Sequence, residues 1–323
     1  MAVSLGYGRG LSTQKRIPKS VLERIIFFVS VAQSNNAAIS LRDLLNLMPT
    51  DQVHSADQLE DIIRECLGET LLVEGGYVVT RGALELAETT RMTQLESAKK
   101  IQQVKSFVDS HHKLFADTLV VAVSGSASYG SAKKGDDVDI FLITKNGALW
   151  STLFKILLYI RVRRILRVDS KNISNLCFSV IFTKRGFEEL LKSRCDPLSA
   201  RELINLKPVK GGETLGWYLA NTEWIKAYYP RFNSPSPRKQ PPTAFSGKQD
   251  DTPLSILLGA YLAMVAKFRN TLFRLQGREQ DVFRVIRSKD KLVYESHRYV
   301  ELRARYFKFF KDESNQPTET THS

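Results

Sequence analysis

The sequence predicts an α+β protein, a mixed β-sheet flanked by helices, with a small helical unit ahead of the sheet and further helices behind it. Three observations carry this prediction. Residues 118–123 (TLVVAV), 140–143 (IFLI) and 176–182 (LCFSVIF) are short apolar runs of the kind found in strands covered on both faces. Stretches of helical period lie between and around them, at 92–115, 150–166 and 186–191. Ahead of them, residues 21–89 show three helical faces followed by strand, turn and strand.

In the first unit, Val21, Leu22, Ile25, Ile26, Phe28 and Val29 give one apolar face and Leu41, Leu44 and Leu45 a second, with Ser40 placed to cap it. A third helix is expected from Ser55, where Ser55 and Gln58 have capping-box spacing. Residues 71–73 and 77–80 flank Glu74-Gly75-Gly76 as a hairpin, and three helices with such a wing resemble a winged helix-turn-helix. The helix that would read DNA carries Asp57, Glu60, Asp61 and Glu65, with Glu69 just beyond, against Arg64 alone. Phosphates repel that surface, so sequence-specific DNA binding is not expected and a packing or protein-contact role is. The resulting division is a flexible tail (1–16), the winged-helix-like unit (17–91), a central domain (92–232), a linker or long loop (233–253), a C-terminal helical region (254–311) and a disordered tail (312–323).

The chain has 323 residues, 43% of them hydrophobic and 25% charged, enough for two or three compact units. Its net charge of +13 is uneven: the first hundred residues hold 11 Lys/Arg against 12 Asp/Glu, the remainder 36 against 22. A basic surplus of that kind favours a polyanionic partner such as a nucleoside triphosphate or RNA. Cys66, Cys177 and Cys195 are widely spaced, which argues against a disulfide framework or a zinc site. The first residues lack the apolar core of a signal peptide. The apolar runs 153–160 and 254–266 are shorter than the roughly 20 residues of a bilayer span. A cytoplasmic setting without membrane association is therefore expected. The basic run Lys155, Arg161, Arg163, Arg164, Arg167 and Lys171 reads as the wet face of a helix whose Leu153, Ile156, Leu157 and Ile160 pack on the sheet, with contact to an RNA backbone as the alternative.

The segment with chemical content is 119–144, LVVAVSGSASYGSAKKGDDVDIFLIT. Gly125 allows close approach of backbone to a phosphate, Ser126 adds a hydroxyl donor, and a helix starting there directs its amides at the anion. Asp137 and Asp139 are two apart on a strand, so both leave the same face while Val138 and Ile140 enter the core. A carboxylate at the start of a buried strand is costly without a partner, and a hard divalent cation that also bridges phosphate oxygens relieves that cost. In the intervening loop, Ser131 and Lys133 are candidate phosphate contacts, although a solvated basic loop is the favoured account of Lys133 and Lys134.

Gly125-Ser126, ten intervening residues, then Asp137-Val138-Asp139 resembles the signature of the DNA polymerase beta nucleotidyltransferase superfamily, which includes CCA-adding enzymes, aminoglycoside nucleotidyltransferases and minimal antitoxin-type transferases. Gly147-Ala-Leu-Trp150 and Asp196-Pro-Leu-Ser-Ala-Arg-Glu-Leu203 are similar to a less-characterised microbial branch in which the domain follows a winged-helix-like segment. The resemblance implies a nucleotidyltransferase-type sheet and an enzyme dependent on Mg²⁺ or Mn²⁺. It would move a nucleoside monophosphate from an NTP, with ATP expected, to a hydroxyl of RNA, protein or a small molecule. Asp137 and Asp139 would be the catalytic metal ligands, and Gly125, Ser126, Ser131 and Lys133 the nucleotide-binding residues. Active members commonly place a third carboxylate on a later strand, yet 176–182 has no acid and Ser179 stands at the matching position; Asp169 and Asp196 lie outside that strand. This departure keeps two alternatives open: a nucleotide-binding or regulatory module with impaired turnover, and an antitoxin-like transferase that modifies a partner protein.

Overall fold

A computed structural model of the protein describes residues 17–166, 176–193, 196–232 and 253–314. The tail expected over 1–16, most of the linker at 233–253, and Arg167, Asp169, Lys171 and Cys195 lie outside the described residues.

The N-terminal unit is α1 (Lys19–Ser34), β1 (Ile39–Ser40), α2 (Leu41–Leu45), α3 (Ala56–Cys66), β2 (Leu71–Glu74) and β3 (Tyr77–Thr80), its antiparallel strands in the order β1-β3-β2. Local chemistry sets the helix starts. Ser40 accepts from the Asp43 amide at 3.0 Å and Ser55 from the Gln58 amide at 3.1 Å, while the Gln58 side chain reaches back to the His54 amide at 2.7 Å. α4 (Glu85–Ser110) runs from this unit into the central domain as one helix, so the boundary expected at 91/92 falls inside it. Its Glu85 and Glu88 favour a start in that turn, where acids oppose the helix dipole.

The chain then forms β4 (Thr118–Ser124), α5 (Gly125–Ser128), β5 (Val138–Thr144), α6 (Leu149–Ile165), β6 (Leu176–Thr183), α7 (Lys184–Ser193), α8 (Pro197–Asn205), β7 (Lys207–Lys210), α9 (Gly212–Ala220) and α10 (Glu223–Tyr228). Beyond lie α11 (Pro253–Leu275), β8 (Phe283–Arg287), β9 (Lys291–Ser296) and α12 (His297–Ser314). The main sheet has the order β7-β4-β5-β6-β9-β8, parallel only between β5 and β6. The α+β class holds, and two expectations are corrected. The C-terminal region is not helical throughout, because residues 283–287 and 291–296 alternate apolar and charged residues around a Ser288-Lys289-Asp290 turn and extend the sheet from β6. Helix α12 continues past 311, because Glu313 accepts twice from the buried Arg24 of α1, at 2.8 and 2.9 Å.

Asp290 fixes the hairpin. Its carboxylate accepts from the Thr183 hydroxyl at 2.8 Å and from Arg185. Gly186 lies so close to the Asp290 carbonyl that any side chain there would clash with it. The sheet is covered on both faces. Val120, Ala122, Phe141, Ile143 and Phe182 share one core with α7 to α10, the N-terminal unit and α12. Val121, Val123, Ile140, Leu142, Phe178 and Ile181 share the other with α4, α6 and α11. On α6, Leu153 and Ile156 are buried as expected, but the outward face is not simply wet, since Phe154, Leu158, Val162 and Ile165 are exposed along it. The reading of α11 as too short for a bilayer is also corrected: Ile256–Leu275 is long and apolar enough to cross a membrane by length and composition, because the helix runs past Lys267 and Arg269, and only 22% of that window is buried in the protein.

Candidate functional site

β4 and β5 pair in antiparallel register, with Ser124 opposite Asp139, so the Gly125-Ser126 turn and the second aspartate share one end of the sheet. Gly125 has φ +61°, the left-handed region, and a Cβ there would fall on the Asp139 carboxylate. Only glycine allows this turn to press its backbone against that acid. The turn continues as α5, a single helical turn of four residues. It is too short for the sizeable dipole expected of a longer helix, so any anion here must rely on individual amides and hydroxyls.

Val138 and Ile140 enter the α4/α6/α11 core, whereas Asp139, Phe141 and Ile143 leave the opposite face. Asp137 immediately precedes β5 and is exposed; Asp139 is half-buried. Burial pushes Asp139 up to about 6, Asp137 and Asp136 push in the same direction, and hydrogen bonds from the Ser179 hydroxyl and the Cys177 thiol offset part of the rise. Cys177, directly opposite Asp139 in the parallel register, is itself pushed up to about 12 by burial and by the two aspartates. Ser179 reaches the carboxylate because β6 is irregular here: Phe178 and Ser179 together face Ile140 before pairing resumes at Phe141 and Val180. The residue expected beside the aspartates from β6 is therefore a hydroxyl.

Helix α4 holds the intervening loop. Its buried Lys100 donates to the Asp136 carbonyl at 2.7 Å, Ser97 accepts from the Ala132 amide at 3.1 Å, and Thr93 donates to the Gly130 carbonyl at 3.0 Å. Ser131 donates to the Ser126 carbonyl at 3.2 Å, bracing the turn from behind. Lys133 is exposed, and its amide donates to the Asp136 carboxylate at 2.8 Å.

Two cavities meet at this point. The larger, about 1170 Å³, is walled by β6, β9, α11 and α12 and contains Asp137 and Ser179. The smaller, about 710 Å³, lies between the Gly-Ser turn and the N-terminal unit and contains Ser131 and Lys133. Gly125, Ser126, Asp136, Asp139 and Glu202 line both. The expected residues thus converge on one junction, although Asp137 and Lys133 open into different cavities.

Sequence reading missed Glu202. Burial pushes its carboxyl up to about 7, Asp139 adds to the rise, and the Tyr129 hydroxyl, donating at 2.9 Å, and Arg201 work against it. Its position in Ser199-Ala-Arg-Glu202 looks like an ordinary helix surface; the one available signal was its place inside the segment singled out at 196–203. Asp196 is spent elsewhere, capping α8 through the Leu198 and Ser199 amides and facing Arg303 at 3.0 Å.

Asp137 and Asp139 are the residues here that could hold a divalent cation. Among the described residues neither Asp137 nor Asp139 has an ion-pair partner, and no group of three or more His, Cys, Asp or Glu side chains gathers into an all-protein metal cage. Mg²⁺ is commonly held by one or two carboxylates with the remaining positions filled by water and substrate phosphates. No family model, characterised protein or solved structure matches this chain.

Proposed function

We propose that the protein is a nucleotidyltransferase that moves a nucleoside monophosphate from an NTP, ATP in the first instance, to a hydroxyl of RNA, protein or a small molecule. The observation that carries this reading is the close contact of the Gly125 backbone with the Asp139 carboxylate where two cavities meet. A phosphate laid on the turn lies beside the acids, and an acceptor can approach from the second cavity. The fold is read as a nucleotidyltransferase-type sheet preceded by a winged-helix-like unit.

Asp137 and Asp139 would hold Mg²⁺ or Mn²⁺, which neutralises phosphate charge and favours departure of pyrophosphate. The chain's own groups do the rest. Gly125 and Ser126 present amides and a hydroxyl to the triphosphate, with Ser131 fixing that turn. Ser179 orients the Asp139 carboxylate. A bond forms between the acceptor oxygen and the α-phosphorus as the bond to pyrophosphate breaks, and Glu202, a carboxyl that lines both cavities, would take the acceptor's proton. A pKa near 7 matches a general base at neutral pH.

Incubating the protein with Mg²⁺, α-labelled NTP and cell extract tests this. Label should appear on an acceptor and fall on the order of a hundredfold or more in Asp139→Asn; undiminished labelling by the variant overturns the assignment. The acid-free β6 favours a second reading, a module that binds nucleotide without turnover. Calorimetry showing tight Mg-NTP binding with no transfer to any acceptor supports that reading instead. An antitoxin-like transferase differs only in its acceptor, a co-purifying partner protein.

A further inference from the structure

Helices α6 and α11 lie beside each other on one face of the sheet and send Leu153, Ile156, Leu258 and Leu262 into a shared core. Their outward sides carry large apolar residues at helical spacing. On α6 these are Phe154, Leu158, Val162 and Ile165; on α11 they are Leu257, Tyr261, Met264, Phe268, Leu272 and Leu275. The exposures are high where it matters: Ile165 72%, Phe268 65%, Leu275 79%. A helix already seated on a sheet needs a polar outer side in water, so two neighbouring apolar outer sides mark a contact surface.

Charge decides what the surface contacts. Neither helix contains an Asp or Glu, and every charged residue in them is Lys or Arg, with Arg161, Lys267 and Arg274 exposed, while Lys155 pairs with Asp117 at 3.5 Å and Arg269 turns to the larger cavity. A second copy applied to the same face would set these cations against their own counterparts with no acid to pair them. Outside the described residues, 233–252 holds one large apolar residue, Phe245, 167–175 holds Val168 and Ile173, 315–323 holds none and 1–16 holds Met1, Val3, Leu5, Tyr7 and Leu11, against the ten exposed on these two helix faces. Nucleic acid suits the cations and the aromatic Phe154, Tyr261 and Phe268, but leaves the seven other apolar side chains of these faces, from Leu158 to Leu275, without a partner. An anionic bilayer satisfies both properties, because apolar side chains enter the acyl boundary while Lys and Arg reach the headgroups.

We propose that the outer faces of α6 and α11 form a membrane-docking surface that seats the protein on an anionic lipid bilayer. α11 lies in the interface plane and does not cross it, because Leu258, Leu262 and Ala266 hold it to the sheet. The same helix lines the larger cavity through Leu262, Ala266 and Arg269. The inference stands on the helix faces and does not depend on the reaction assigned to the site.

Flotation of the full chain with vesicles tests it, using phosphatidylglycerol/phosphatidylcholine against phosphatidylcholine alone. The protein should float with the anionic vesicles at least about tenfold more than with the neutral ones and lose binding as salt rises. The double variant Met264→Ser/Phe268→Ser should lose about tenfold on anionic vesicles while keeping its circular dichroism spectrum. Lys267→Glu/Arg274→Glu should abolish the preference for anionic lipid. Absence of flotation on anionic vesicles, or equal flotation by the Met264→Ser/Phe268→Ser protein, overturns the proposal. So does a dimer in sedimentation that this double variant dissolves without any lipid binding by the parent chain.

Discussion

The two faces of the central sheet are covered in different ways. Behind Phe141, Ile143 and Phe182 there are two layers, first α7 to α10 and then the N-terminal unit and α12, and the inner and outer layers share one core. Behind Ile140, Leu142 and Ile181 there is a single layer, α4, α6 and α11, and the far sides of two of these helices are apolar and exposed. The inward residues of the sheet are buried on both faces, with Phe141, Ile143 and Phe182 on one and Ile140, Leu142 and Ile181 on the other. Exposed apolar residues on α6 and α11 thus contribute nothing to covering it, which separates residues that hold the fold from residues that meet something outside it.

Substitutions can break or sharpen this contrast. The largest effect belongs to Phe187, fully buried between Phe141, Phe182 and Tyr218. Phe187→Ala should cost about 3–5 kcal/mol in chemical denaturation, and a loss below about 1 kcal/mol would mean the doubly covered face is not the main core. Asp139 lies on that same face where it opens into the cavities, and its effect should depend on pH. Its folded pKa is raised from 3.8 to about 6, so its contribution to stability is fully present below about 4 and is lost as pH rises through 6. In metal-free protein Asp139→Asn should accordingly match the parent near pH 4 and exceed it by on the order of 2 kcal/mol at pH 7.5. Equal stability at both pH values would show that the carboxylate is not confined. The smallest effect is expected on the singly covered face, where Phe268→Gln should change stability by no more than about 0.5 kcal/mol in the same assay. A core-sized loss there would show that α11 is covered in the dissolved protein and would erase the contrast.

Much of this was legible in the residues, for physical reasons that also explain the misses. Strands β4 and β5 are continuous apolar runs, and Ser40 and Ser55 sit where caps must be, so local chemistry determines these elements. β8 and β9 were missed because Arg284, Arg287, Lys291 and Glu295 break up their apolar pattern and the pairing that stabilises them is made with β6, far away in the chain. β7, with Lys207 and Lys210 at its ends, is an edge strand identifiable only from its neighbour β4. At the site, Gly125, Ser126, Asp137, Asp139 and Ser179 were readable because a turn and two strands fix their spacing. Glu202 was not, since its role depends on how α8 docks beside Tyr129.

The pairing of β6 with β9 also bears on how the molecule is made. Residues 176–183 leave the ribosome roughly a hundred residues before the strand that will lie beside them, and contacts of such long range form slowly. Until then β6 is an open edge of mostly apolar residues, the kind of strand that captures another chain. The nascent protein therefore passes through an interval in which both aspartates exist but one wall of their cavity, β9, does not.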